Sequence, residues 1–269
     1  MYRRNPRFAL LAAAIAVGLC VFLPRPSLAE DGEATWESIR PAIFGERPIE
    51  DGAAFVRLIA PARAEDAALV PLDIHLNSPA GDGRNISSLT LVVDENPAPV
   101  AATFKFAAQQ KAFDLSTRVR VNAYSFVRVV AETEDGKLYM VKSYVKAAGG
   151  CSAPAVKDPE EAKANLGKMR FRNFAETGRN EAQLQIRHPN YSGLQMDQVT
   201  RLYTPAWFVQ TIKVTQGENL IFSMEGGISI SEDPTFRFSF VATNEPVSVE
   251  AIDTDGSTFR ERFPARSGS

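Results

Sequence analysis

Along most of the chain, apolar and polar positions change places every second residue in short runs. Proline, glycine, asparagine and aspartate stand between the runs, which predicts strands joined by turns. Residues 55–59 alternate until Pro61 breaks the pattern, and in 70–76 Leu72, Ile74 and Leu76 fall on one face. Residues 88–93 are more uniformly apolar, as in a strand covered on both faces. A strand over 103–106 follows the turn formers Asn96-Pro97-Ala98-Pro99, and 117–124 keeps a strict period of two. Residues 127–132 and 137–145 read as a hairpin across Glu134-Asp135-Gly136. Further strands are predicted over 169–174, 181–187, 208–214, 217–224, 235–241, 247–253 and 258–263, the last two joined at Asp255-Gly256. Helical signals are few. A short helix runs from Thr35 to a stop near Pro41, and another starts at Asp158-Pro159-Glu160-Glu161, with Asp158 as cap and Pro159 at the first position, and yields at Gly167. The pattern predicts an all-β chain: two immunoglobulin-like β-sandwich domains joined by a linker with a short helix.

The length of 269 residues suits two domains of about 110 residues each, and each could bury its own core. The start differs from the rest. Arg3, Arg4 and Arg7 precede an apolar run over 8–23, and Ser27-Leu28-Ala29 offers a small-residue cleavage pattern, so residues 1–29 read as a signal peptide. The run is too short for an ordinary membrane span. The expected divisions are therefore a leader at 1–29, a first sandwich at 30–150, an arm and linker helix at 151–167, and a second sandwich at 168–269. The expected location is the periplasm, with no membrane attachment after cleavage. Removing Arg3, Arg4, Arg7 and Arg25 with the leader reduces 30 basic side chains to 26, against 32 acidic ones. A net charge of −6 argues against nucleic acid as a partner.

Catalysis by acid and base is poorly provided for. The chain has two histidines, His75 within a predicted strand and His188 beside Pro189 at a strand end, where it suits a fixed turn. Nothing has the spacing of a zinc site or a phosphate loop. The pairs Asp94-Glu95, Glu134-Asp135 and Glu232-Asp233 fall at turns and read as solvated turn residues. No metal or cofactor is expected. What remains is Cys151, the one cysteine left once Cys20 departs with the leader. In an oxidising compartment a single thiol implies pairing between copies, a disulfide-linked homodimer through Cys151, or a thiol kept for chemistry. Gly149 and Gly150 precede it, so the stretch reads as a flexible arm that carries an exposed sulfur atom. Lys142, Lys146 and Lys157 are near enough in sequence to favour the thiolate. An incidental cysteine in a linker is the alternative, and the residues alone leave both open.

Several stretches resemble the SoxY and SoxZ subunits of the periplasmic carrier for thiosulfate oxidation, here in one chain. Pro61-Ala62-Arg63-Ala64-Glu65-Asp66 leading to Val70-Pro71-Leu72, the run from Glu95 through Phe104, Thr117-Arg118-Val119-Arg120, and Gly149-Gly150-Cys151 resemble SoxY. Ile186-Arg187-His188-Pro189, the run from Phe208 to Val214, Ile228 through Pro234, and Asp255-Gly256-Ser257-Thr258-Phe259 resemble SoxZ. Fused forms are similar to SoxYZ-like carriers associated with quinoprotein dehydrogenases. The resemblance implies a carrier rather than an enzyme. Cys151 would hold a sulfur-containing intermediate covalently, with Gly149 and Gly150 as its arm, and present it to periplasmic redox or sulfur-oxidising enzymes. The family arm ends its chain at Gly-Gly-Cys-Gly-Gly, whereas here Ser152-Ala153-Pro154 follows. An arm fixed at both ends reaches less far. The other reading is a non-catalytic adaptor that docks a periplasmic quinoprotein dehydrogenase or its cytochrome.

Overall fold

The structure, a computed structural model, describes residues 28–154, 159–176, 179–197, 200–241 and 243–265. The expected leader therefore lies outside the described residues, apart from Leu28 and Ala29 at the start of the first helix. The chain is all-β, with two short helices. The first half contains α1 (Leu28–Phe44), β1 (Ile49–Asp51), β2 (Val56–Ile59), β3 (Val70–Asn77), β4 (Ile86–Val93), β5 (Val100–Phe106), β6 (Ala112–Val119), β7 (Ser125–Thr133) and β8 (Leu138–Val145). The second contains α2 (Pro159–Ala164), β9 (Met169–Glu176), β10 (Arg179–Ile186), β11 (Val209–Gln216), β12 (Asn219–Gly226), β13 (Thr235–Phe240), β14 (Val247–Asp253) and β15 (Thr258–Phe263).

The two halves share their sheets. One sheet runs β1-β8-β7-β4-β5-β12-β11-β14-β15, and the facing sheet runs β2-β3-β6-β13-β10-β9. Each crosses the boundary through an antiparallel pair. On one, Phe104 of β5 lies opposite Met224 of β12; on the other, Leu115 of β6 lies opposite Phe238 of β13. Two strands that would be open edges in isolated sandwiches thus satisfy each other's backbone groups. The core is correspondingly continuous. Phe104 and Phe113 from the first half meet Phe222, Phe236 and Phe238 from the second, with ring centroids 5.8–6.4 Å apart. Each such buried side chain contributes roughly 1.5–3 kcal/mol, so separating the halves would cost many kcal/mol.

Local outcomes follow the sequence pattern closely. Leu72, Ile74 and Leu76 are buried on one face of β3, and the apolar run of β4 is covered on both faces over its final residues. Gly136 and Gly256 take positive φ in the two hairpin turns, a conformation open to glycine at little cost. The first helix is longer than its expected stop at Pro41. Pro41 lies inside the last turn, and Gly45, with φ of 66°, closes the helix through its N–H to the Pro41 carbonyl at 2.9 Å. Trp36 and Phe44 dock α1 onto Val92, Val130 and Leu138, forming a small separate apolar cluster. The expected strand over 117–124 begins and ends five residues earlier, as β6. Residues 120–122 instead bond to the loops around them: Arg120 N–H to the Ser229 carbonyl at 2.7 Å and Val121 N–H to the Ala67 carbonyl at 2.8 Å. The Asp158 cap of α2 and Lys157 lie outside the described residues.

Candidate functional site

Cys151 sits where the end of β8 leads out of the first half and meets loop segments of the second, residues 187–197 and 200–208. Its position is the reverse of the expected one. The thiol is free but fully buried, at 0% exposure, rather than standing in water at the tip of a loose arm. The reason is a set of hydrogen bonds along the whole stretch. Lys146 N–H donates to the Ala62 carbonyl at 3.0 Å, Gly149 N–H to the Asn122 carbonyl at 2.8 Å, and Gly150 N–H to the Val121 carbonyl at 3.0 Å. From the second half, the Ser192 hydroxyl donates to the Cys151 carbonyl and Gln195 Nε2 donates to the Ala153 carbonyl at 3.0 Å. Because the chain continues into a docked domain, the arm is tied on both sides of the sulfur. The expected Cys151–Cys151 bridge finds no support in this closed arrangement, where the sealed sulfur atom lies out of bonding distance of another chain.

The glycines have a steric task here. Gly149 adopts φ of 82°, where a side chain is strained. A Cβ on Gly150 would stand 2.0 Å from the Ala67 carbonyl oxygen and 2.8 Å from that of Val121. These are backbone atoms that cannot turn aside, so only glycine lets the arm lie against the end of β6. Gly149 and Gly150, expected as a flexible arm, provide close fit in this closed state.

Lys142 and Lys146, expected to favour the thiolate, do not form its setting. Lys142 pairs with Glu33 of α1 on another face, and Lys146 is exposed. The cation at the thiol is Arg120, only 2% exposed. Its Nη1 donates to the Gly150 carbonyl at 3.2 Å and its Nη2 to the Asn190 carbonyl at 3.1 Å, so it ties the arm to the second-half loop. Its Nε is buried with no partner among the described residues. Burial pushes the Cys151 thiol above its ordinary pKa, and the Arg120 charge pulls it back down. Burial likewise lowers the Arg120 pKa, opposed by Cys151, Glu232 and Asp66. Sequence reasoning missed Arg120. Within an alternating segment an arginine signals a solvated face, and nothing local indicates that the second half will cover it.

Around this pair lies a buried polar seam. Asn96 Nδ2 donates to the Arg120 carbonyl at 2.7 Å and to the Ser229 hydroxyl at 2.8 Å, while the Ser231 hydroxyl donates to the Ala68 carbonyl at 2.6 Å. His188 is buried in the loop that caps the arm. Its Nδ1 accepts from the Asn190 N–H at 3.1 Å, which fixes the tight turn with Asn190 at φ of 45°. Its Nε2 lies 3.5 Å from Asp253, and burial lowers its pKa against that carboxylate's pull. His75 is remote from this site, hydrogen-bonded to Asp114 at 2.8 Å. The acidic turn pairs are more engaged than solvated: Asp94 binds Arg128, Glu134 accepts from Asn85, and Asp233 pairs with Arg187. Among the described residues no group of three or more metal-ligating side chains is assembled.

Comparison with known proteins identifies the two halves. Residues 40–151 match the family of the sulfur oxidation protein SoxY, and residues 169–264 match that of the sulphur oxidation protein SoxZ. The chain belongs to the SoxY and SoxZ families, fused end to end. The SoxY match ends on Cys151 itself, and the SoxZ match opens on the first residue of β9. The sulfur carrier protein SoxY from Chlorobium limicola f thiosulfatophilum is 26% identical over 42% of this chain and 96% of its own, with a TM-score of 0.36. A β-glycosidase from Bacteroides vulgatus aligns with 82% of this chain and 25% of its own at 7% identity, with a TM-score of 0.25. Among curated protein sequences no relative matches.

Proposed function

We propose that this chain is a periplasmic sulfur carrier in which Cys151 holds the carried group covalently and a local opening of the junction presents it to sulfur-oxidising enzymes. The observation that carries the reading is the place of Cys151. It is the last residue of the SoxY match and the free thiol at the seam between the SoxY and SoxZ halves. A thiolate there can attack a sulfur–sulfur bond and keep one fragment as a mixed disulfide, the other fragment leaving with the electron pair. The protein supplies attachment and shelter, and its partners supply the chemistry. Catalysis by the chain itself is not part of this reading.

Shelter and delivery need two states. The halves cannot swing apart, because both sheets and one aromatic core run through the boundary. The movable parts are the arm, residues 146–154, and the loop that covers it. Their links to each other in the Cys151–Ala153 stretch are the side-chain bonds of Ser192 and Gln195, each worth about 1 kcal/mol net. Opening by breaking these contacts is therefore far less costly than parting the sheets.

The test is mass spectrometry of protein purified without reductant from cells grown on reduced sulfur. A sulfur adduct on the Cys151 peptide, and loss of sulfur oxidation in Cys151→Ser cells, are expected. Unmodified thiol under every growth condition, with Cys151→Ser cells unaffected, would defeat the reading. Equal capture of a quinoprotein dehydrogenase by wild type and Cys151→Ser would then favour the adaptor.

A further inference from the structure

Arg120 is held in an unusual condition. It is almost completely buried, it is always charged, and among the described residues no carboxylate reaches ion-pair distance of it. Two of its nitrogens are spent on backbone carbonyls, and its Nε has no acceptor. A buried cation with no counter-charge in contact with it is costly, and a protein that keeps one gains when an anion arrives beside it. It reaches the Cys151 stretch through the Gly150 carbonyl at 3.2 Å. Asp66 and Glu232 also face the guanidinium, and Tyr191 stands near Glu232. The Asp66 carboxylate accepts from the Ala68 N–H at 2.8 Å. The free donor capacity of the seam therefore belongs to Arg120.

We infer that Arg120 is a positioning residue for anionic sulfur at Cys151: it holds the thiolate and, after loading, the negatively charged end of a thiosulfonate or persulfide adduct. This rests on the carrier reading above. Arg120 lies just past β6, in the same half as the arm. When the second-half loop withdraws, the Asn190 carbonyl leaves with it and Nη2 joins Nε as a free donor. Opening thus releases one further guanidinium N–H to an anion, while the link to the Gly150 carbonyl persists. The guanidinium fork is suited to a sulfonate or a terminal sulfur anion and gives no comparable contact to a neutral or cationic adduct.

Loading can be followed with tetrathionate. The Cys151 thiolate attacks a central sulfur, the new Sγ–S bond forms as the central S–S bond breaks, and thiosulfate leaves with the electron pair. Cys151 keeps a thiosulfonate with one negative charge, and tetrathionate itself is the oxidant. The deciding experiment compares the rates at which an anionic and a cationic methanethiosulfonate modify Cys151 in the purified protein, at low salt and across pH. Wild type should react with the anionic reagent about tenfold faster, a preference that shrinks as salt rises. Arg120→Lys should keep the preference. Arg120→Met should lose it, raise the pH midpoint of modification, and shorten the lifetime of the tetrathionate-derived adduct. Equal rates for the two reagents in wild type would overturn the inference, as would an unchanged ratio and midpoint in folded Arg120→Met. If Arg120→Met fails to fold, the wild-type ratio and its salt dependence decide alone. No partner enzyme is involved, so the outcomes separate. A shifted midpoint with no adduct from cells would sink the carrier reading only. An adduct from cells with an unshifted midpoint would sink the role of Arg120 only.

Discussion

Two arginines of the first half, Arg120 and Arg128, are buried almost equally, at 2% and 0% exposure, and are treated in opposite ways. Arg128 is neutralised. Its Nε donates to both Asp94 carboxylate oxygens at 2.8 and 3.0 Å, its Nη2 lies 3.3 Å from Glu33, and the Trp36 and Phe126 rings cover it at 4.6 and 5.1 Å. Arg120 receives two carbonyls and no carboxylate. The first arrangement ties α1 to the sheet; the second leaves a positive charge on the carbonyls of the arm and the second-half loop, where it acts on the ionisation of the thiol. Burial alone therefore does not tell a structural arginine from a functional one, and the inventory of partners does.

This contrast can be broken from either side. The largest effect is expected for Asp94→Ala, which strands the Arg128 charge and should lower unfolding free energy by about 3–5 kcal/mol in a denaturant titration. By contrast, Arg120→Met should change stability by less than about 2 kcal/mol, because it removes an uncompensated charge along with two hydrogen bonds. A loss as large as that of Asp94→Ala would mean that Arg120 is structural after all. Gly150→Ala comes next, at about 1–3 kcal/mol for forcing a methyl group against two carbonyls. It should also speed alkylation of Cys151 by displacing the arm. Ser192→Ala and Gln195→Ala should each cost about 1 kcal/mol by melting, with a faster thiol reaction as the more sensitive readout. The smallest effect is expected for the exposed cross-boundary pair of Lys105 and Glu225, 3.0 Å apart, where Lys105→Ala should cost less than about 1 kcal/mol.

The thiol adds a pH dependence of definite sign. Its folded-state pKa is raised by burial, so the closed junction is favoured while the thiol is protonated. That contribution is complete below the ordinary thiol pKa and is lost as pH rises through the raised folded value. Wild type should therefore lose stability at alkaline pH relative to Cys151→Ser. Matching curves for the two proteins would show that the sulfur atom ionises without strain.

The SoxY match ends at Cys151, and here the chain continues from it into a docked second half. Fusion exchanges reach for shelter. A group bound to Cys151 would be protected between encounters, and delivery would depend on how often the Ser192 and Gln195 contacts release.

The pattern of the chain by itself determined a great deal. Alternation predicted the strands of both halves, since the period of two reports burial on one face and needs no knowledge of neighbours. Asp-Gly turns located the two hairpins, and a lone thiol after paired glycines marked Cys151. What only the tertiary structure decided was how those parts meet. The merging of the sheets depends on which edges find each other, β5 with β12 and β6 with β13, and edge pairing leaves no local trace. The parallel contact of β1 with β8 is equally non-local. The setting of Cys151 was invisible for the same reason. Small residues permit motion in an isolated peptide, but the same absence of side chains lets Gly150 press against the Ala67 and Val121 carbonyls once a second half closes over them. Arg120 is buried because that closure removes its water and holds it on the carbonyls of Gly150 and Asn190.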